Sequence, residues 1–134
     1  MKKHLLMLAI ASSCLFASQA NALTKDEYKA EKDKIQASYK VDKAKCDALK
    51  NNAQDVCEKE AKGREKVALA ELEQQYQPTD RHARNVQEEK IDATYQVAKE
   101  KCDDLKGDAK NLCVKQAKAD EAKGKAELKT MKKM

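Results

Sequence analysis

The chain has 134 residues and a mass of 15.0 kDa, which is enough for one domain of modest size. Charged residues make up 38% of it, the formal net charge is +5, and there is no tryptophan. From residue 23 onward, Leu, Ile, Val and Phe supply only 15 of 112 residues, below the roughly 20% typical of a chain that buries a conventional core. This composition argues against a packed α/β enzyme, a β-sandwich and a multi-span membrane protein.

The first 22 residues have the three parts of a secretory signal peptide. Two lysines precede an apolar run at 5–16, which is shorter than the about 20 residues that span a bilayer. Residues 20–22 read Ala-Asn-Ala and fit an A-x-A cleavage site. We therefore expect export to the bacterial periplasm and a mature chain that begins at Leu23. A lipoprotein signal with Cys14 as the lipidated residue is the alternative; apart from such a lipid anchor we expect no membrane contact.

The rest of the sequence is duplicated. Residues 34–72 align without a gap with 90–128, giving 20 identities in 39 positions at an offset of 56. The matched positions include two cysteines, an Ile-x-x-x-Tyr pair and the leucine three residues after the first cysteine. We therefore divide the chain into a signal peptide, a first unit, a linker around Pro78 and a second unit, at 1–22, 23–76, 77–80 and 81–134.

Each unit predicts an antiparallel helical hairpin, because Ala, Lys, Glu, Gln and Leu dominate and strand signals are absent. Asn51-Asn52 and Gly107-Asp108 break the pattern at matched positions. In each pair the first residue suits the left-handed end of a helix, and the second suits the N-cap of the next. Thr79 or Asp80 can cap the third helix. The resulting fold class is all-α, with four long helices packed in a coiled-coil-like way at roughly 25–50, 53–76, 80–106 and 109–131.

The helical periodicity places large residues of one helix opposite small residues of its partner. Ile35 should meet Ala68 in the first unit, and Ile91 should meet Gly124 in the second. Tyr39 and Tyr95 extend this hairpin seam. On the remaining, solvated faces, four acid–base pairs have the favourable i,i+4 order. They are Asp55/Lys59, Glu58/Lys62, Glu60/Arg64 and Glu121/Lys125.

Four cysteines remain after removal of the signal: Cys46, Cys57, Cys102 and Cys113. An even set in an oxidising compartment indicates two disulfides. Along one straight helix, residues eleven apart would lie about 16 Å from each other, too far for a bond. The break between them lets the chain fold back, so we predict that each hairpin is closed by its own pair, Cys46–Cys57 and Cys102–Cys113.

A second pairing is open at this stage. Cys46–Cys113 and Cys57–Cys102 are both centred on the turn at Pro78. One long hairpin with two disulfides would be similar to the twin-cysteine helical hairpins of the mitochondrial intermembrane space. Those proteins use a C-x9-C spacing without a break inside it, and this chain departs from both features.

The sequence offers no constellation for catalysis. His82 is the only histidine after the signal, and no P-loop, H-E-x-x-H, C-x-x-C or glycine-rich dinucleotide turn occurs. C-x10-C is not a usual zinc spacing. The mature charge is 26 minus 23, or +3, with lysines interspersed among carboxylates. We therefore expect a non-enzyme with no cofactor, no metal site and no nucleic-acid partner.

The repeated C-D-x-L-K-x-x-A-x-x-x-C unit behind a signal peptide resembles a group of small exported tandem-repeat proteins of Gram-negative bacteria. In composition the chain is also similar to the periplasmic helix of TolA. The resemblance implies a periplasmic helical protein and no catalytic residues. The expected function is a structural or protein-interaction role in the cell envelope, with a protein partner or self-association through helical faces. A stress-linked holdase, or a redox- or metal-responsive binding protein, is the alternative.

Overall fold

The structure is a computed structural model that describes residues 22–131. The signal peptide and Cys14 lie outside these residues. The part of the chain described contains no strand. Its helices are α1 Lys25–Cys46, α2 Asn52–Tyr76, α3 Asp80–Lys101 and α4 Gly107–Met131, with a short 3-10 turn at Cys102–Asp104. Helices α1 and α2 form hairpin 1, and helices α3 and α4 form hairpin 2. The predicted all-α fold of two helical hairpins is confirmed.

Each hairpin is closed by its own disulfide. The Cα atoms are 5.5 Å apart in Cys46–Cys57 and 5.7 Å apart in Cys102–Cys113. Cys46 and Cys102 are fully buried. The predicted local pairing is therefore confirmed, and the alternative of one long hairpin with two rungs is wrong.

The first helix of each hairpin ends earlier than predicted because its last turn tightens. The Leu49 N–H donates to the Cys46 carbonyl at 2.9 Å, and the Leu105 N–H donates to the Cys102 carbonyl at 3.0 Å. Such i→i+3 bonds satisfy the last carbonyls of a helix without extending it. Asn51 and Gly107 then take positive φ values of 56° and 57°. The left-handed residues fall where the sequence placed them.

The structure contains one predicted helix cap, lacks another, and has a third that was not predicted, at the start of α1. Thr24 and Glu27 form a capping box at α1, in which the Thr24 N–H donates to Glu27 Oε2 at 2.8 Å. The Thr79 hydroxyl caps α3, as predicted. The prediction that Asn52 caps α2 is wrong. Its side-chain amide instead donates to the Glu100 carbonyl at 3.1 Å, satisfying an acceptor in the last turn of α3.

The four helices form an open layer in which each helix packs on its neighbours in chain order. The most extensive contact is between α2 and α3, which belong to different hairpins. Within the described residues, α1 makes no extensive contact with α3 or α4, and α2 makes none with α4. Both disulfides lie at the same end of the layer, because α1 and α3 run in the same direction and each disulfide joins the end of one of them to the start of the helix that follows. The layer therefore has two outermost helices, α1 and α4.

The core is thin and consists mostly of small side chains. Three buried positions recur 56 residues apart, namely cysteine, alanine and leucine, so both hairpins use the same buried contacts. No charged or polar side chain is buried among the residues described. The buried apolar residues are Cys46, Ala61, Ala70, Leu72, Val86, Cys102, Ala117 and Leu128.

Candidate protein-interaction surface

The seam of hairpin 2 is a close contact between Ile91 and Gly124. A Cβ atom placed on Gly124 would lie 3.1 Å from Ile91 Cγ1 and 3.2 Å from Ile91 Cδ1. Tyr95 is half-buried one turn along. Because glycine has no side chain, α3 and α4 approach closely here although little apolar surface is available.

Replacing Gly124 with leucine should therefore destabilise the protein. Overpacking a close contact typically costs about 1–3 kcal/mol, whereas leucine at a solvent-facing glycine would gain somewhat under 1 kcal/mol from helix propensity. We expect the Gly124→Leu variant to melt at a lower temperature than the parent, measured by circular dichroism on the oxidised protein. A higher melting temperature would mean that Gly124 does not pack against Ile91.

Hairpin 1 has a different seam. Ile35 and Ala68 are half-buried, and the Lys62 ammonium lies 4.9 Å from the centre of the Tyr39 ring in a cation–π contact. At the end of the hairpin far from its disulfide, the Tyr28 and Tyr76 rings lie 4.5 Å apart. An aromatic contact thus holds together the end that the covalent bond does not reach.

The Tyr28 hydroxyl donates to Glu73 Oε2 at 2.8 Å. This hydrogen bond, followed by partial burial and the negative charge of Glu73, raises the pKa of Tyr28 above its ordinary value. Since the folded-state pKa exceeds the unfolded one, the contribution to stability is present below the unfolded pKa. It is lost as the pH rises through the folded pKa.

We expect the Tyr28 resonance of protein labelled with 13C on the tyrosine ring to titrate above the ordinary value of about 10. Glu73→Gln should move that titration toward the ordinary value, because it removes both the charge and the strongest acceptor. Gln74→Glu, next to the contact, is the matched change of charge. If Glu73→Gln leaves the Tyr28 titration where it is, the hydrogen bond does not form in solution.

The contact between the two hairpins is centred on Gly63 of α2 and Ala93 of α3. A Cβ atom on Gly63 would lie 2.9 Å from Ala93 Cβ, closer than two side chains can approach. Neither Gly63 nor Ala93 was predicted from the sequence to lie in a helix contact. The available signal was a glycine inside an alanine-rich helix, where glycine costs about 1 kcal/mol relative to alanine.

Four ion pairs cross the same interface. On one side of it α2 supplies the acids, in Glu71–Lys90 at 2.8 Å and Glu60–Lys101 at 3.5 Å. On the other side α2 supplies the lysines, and the pairs are Lys66–Asp92 at 3.5 Å and Lys59–Glu100 at 3.9 Å. The alternation of sign fixes how α2 and α3 align, although each exposed pair contributes little to stability.

Three of the four predicted i,i+4 pairs are wrong. Glu121–Lys125 forms within α4 as predicted. Elsewhere a partner other than the residue one turn away is within reach. Lys59 and Glu60 bind α3, Lys62 binds Glu65, and Arg64 reaches Asp42 of α1 at 3.3 Å. Three charges that the sequence places on a solvated face, those of Lys59, Glu60 and Arg64, therefore join neighbouring helices.

An open groove of about 770 Å³ runs along the α2–α3 contact on one face of the layer. Its floor is apolar, and charged side chains of the cross-helix ion pairs stand at its edges. Thr94 is an exposed residue of its wall. The floor residues are Gly63, Val67, Ala68, Ala93, Val97 and Ala98.

The outermost helices carry apolar side chains that none of the other described helices covers. Val41 of α1 is 56% exposed and Leu112 of α4 is 70% exposed. Exposed alanines share a helix face with each of these two residues. We call these surfaces the outer α1 face, with Ala30, Ala37, Val41 and Ala44, and the outer α4 face, with Leu112, Ala119, Ala122 and Ala126.

The remaining predicted features have ordinary surroundings. His82 lies in the first turn of α3, where its ring nitrogen Nδ1 is 2.7 Å from the Gln77 carbonyl. No cluster of three potential metal ligands occurs among residues 22–131. The helices described here are all too polar to cross a lipid bilayer. No protein family, curated protein or solved structure matches this chain.

Proposed function

We propose that this protein is a non-enzymatic helical component of the bacterial periplasm or cell envelope, with a structural or protein-interaction role. The observation that carries the proposal is the open layer, in which no helix of residues 22–131 covers the groove or either outer face. Exposed apolar surface bordered by charges marks protein interaction sites. The protein then acts by presenting long helical faces to a partner.

The proposed compartment is supported by two features. Residues 1–22 have the pattern of a secretory signal peptide, and both hairpins are closed by disulfides of the kind that persist in oxidising compartments. Expression with the native N-terminus should give a periplasmic protein whose first residue, by N-terminal sequencing, is Leu23. A protein lipidated at Cys14 would contradict cleavage before Leu23, and a thiol-reduced cytoplasmic protein would contradict the compartment.

The interaction role is tested with a photo-crosslinking amino acid placed in the groove. With the probe at Thr94, we expect irradiation of intact cells to give a discrete adduct with one envelope protein or with the chain itself. The matched control carries the probe at Lys43, an exposed α1 residue on neither the groove nor an outer face, and should give no adduct. Equal adduct patterns from both positions would contradict a specific surface.

The apolar groove also suits a holdase, since an unfolded client would contact the same surface. Aggregation assays with a thermally unfolded enzyme separate the two functions. A holdase suppresses aggregation at near-stoichiometric amounts, and a redox-responsive one changes this activity when the disulfides are reduced. An interaction protein with a defined partner leaves aggregation unchanged in both states.

A further inference from the structure

The contact between the hairpins uses surfaces that recur at the outer edges of the layer. On α2, the positions that face α3 include Val56, Gly63 and Ala70, which are half-buried or buried. The residues 56 positions later, on the outer α4 face, are Leu112, Ala119 and Ala126, and all three are exposed. At these three positions helix α4 therefore presents an exposed counterpart of the surface that α2 buries against α3, while Lys123 stands where α2 has Val67.

The same relation holds for the other partner. On α3, Val86 is buried and Ala93 and Val97 are half-buried, at the spacing of one helix face. The residues 56 positions earlier are Ala30, Ala37 and Val41 on the outer α1 face, again all exposed. Helix α1 therefore presents the surface that α3 uses to pack on α2.

The charges at these equivalent positions are compatible with the same contact. The 2.8 Å pair Glu71–Lys90 corresponds to Glu127 and Lys34, which keep opposite signs. The other three ion pairs are replaced by combinations in which at least one member is uncharged, so none of these four pairs becomes a pair of like charges. These combinations are Gln116 with Lys45, Lys115 with Ala44, and Ala122 with Gln36.

We propose that the outer α4 face of one copy of this chain packs against the outer α1 face of a second copy, repeating the α2–α3 contact between molecules. This rests on the proposed interaction role and names the partner. Because the two faces differ, the contact is head-to-tail and is not the self-complementary contact of a two-fold dimer. Each copy therefore keeps one unused face, to which a further copy can add. Stacked helical repeats grow in this way.

The intermolecular contact should be weaker than the internal one. Ala119 stands where Gly63 allows the closest approach, so the helices pair at a wider spacing with Ala119 opposite Ala37. Only one of the four ion pairs is retained. We therefore expect short, concentration-dependent chains of the folded protein rather than one stable dimer.

The test uses the oxidised mature chain, 23–134, in two variants that each add one cysteine to the four of the native disulfides, Ala37→Cys and Ala119→Cys. When the two are mixed and oxidised, we expect a cross-linked dimer that joins position 37 of one chain to position 119 of the other in a non-reduced peptide map. Neither variant alone should cross-link, whereas the chain carrying both substitutions should give a ladder of oligomers. The matched controls are Lys43→Cys and Asp120→Cys, at exposed positions outside the two faces, and these variants should not cross-link.

A second measurement is sedimentation velocity of the unmodified chain over a range of concentrations. Leu112→Asp should weaken the association at least tenfold, while Leu105→Asp, at an exposed leucine of the hairpin tip, should leave it unchanged. Cross-linking of either single variant to itself would overturn the head-to-tail arrangement, and so would a monomer at all concentrations. If the chain is monomeric and the Thr94 probe still captures an envelope protein, the self-association is wrong and the interaction role stands.

Discussion

Replacing Gly63 with leucine is expected to lower the free energy of unfolding by about 1–3 kcal/mol or more, because the side chain would be forced into the contact between the hairpins. The space is already occupied by Ala93, whose Cβ is 2.9 Å from the position that a new Cβ would take. Urea unfolding of the oxidised protein measures the change. An unchanged midpoint would mean that α2 and α3 do not pack as described.

Substitution by alanine makes a sharper comparison between the two glycines that lie in helix contacts, Gly63 and Gly124. At Gly124 the nearest atoms are Cγ1 and Cδ1 of Ile91, at 3.1 and 3.2 Å from the new Cβ, so a shift of a few tenths of an ångström relieves the crowding. Helix propensity then offsets the cost and the net effect is small. At Gly63 the neighbour is an alanine methyl group with no rotamer to change, so the helices themselves must separate. We expect Gly63→Ala to destabilise the protein more than Gly124→Ala does.

A size exchange tests whether that difference comes from the Gly63–Ala93 contact. Ala93→Gly alone should cost about 1 kcal/mol through helix propensity. Combined with Gly63→Ala, it leaves one methyl group at the contact as in the parent, but the methyl group now belongs to α2 instead of α3. The double variant should then be more stable than the sum of the two single changes requires, by at least about 0.5 kcal/mol in a double-mutant cycle. Additive effects would place the two residues apart.

The hairpins could be predicted from the sequence because their determinants are local. Two cysteines eleven residues apart, with a left-handed residue between them, leave few ways to form a bond. Asn51 and Gly107 mark the turn whatever the rest of the chain does. The same reasoning placed Ile91 opposite Gly124, where the contact now lies. Helical periodicity and the position of one disulfide were sufficient to predict the hairpin seam.

The contact between the hairpins could not be predicted in the same way. Lys59 lies four residues after Asp55, as a helical ion pair requires, and yet its partner is Glu100 of α3. Periodicity shows which residues share a face but not which neighbour covers that face. The duplication adds to the ambiguity, because Gly63 and Ala119 occupy equivalent positions while only the first is buried. The sequence therefore predicted interacting helical faces without identifying which ones remain open.

Opening either disulfide should affect stability about as strongly as Gly63→Leu does. In the chain-entropy model, a bond that closes a loop of about 12 residues contributes roughly 2–3 kcal/mol. For a domain of this size, that corresponds to a fall in melting temperature of roughly 10 °C. The matched variants are the Cys46→Ala/Cys57→Ala and Cys102→Ala/Cys113→Ala pairs, followed by circular dichroism and compared with the parent under reducing and oxidising conditions.

The two disulfides should not be equivalent. Hairpin 1 keeps a second attachment at its far end, where Tyr28 packs on Tyr76 and donates to Glu73. The position corresponding to Tyr28 in hairpin 2 is Arg84, which pairs with Glu88 of its own helix. Loss of Cys102–Cys113 should therefore expose the amides of α4 to hydrogen exchange more than loss of Cys46–Cys57 exposes those of α1. Tyr28→Ala in the variant lacking Cys46–Cys57 should remove the difference. Equal protection of α1 and α4 in the two starting variants would show that the aromatic contact does not hold hairpin 1 together.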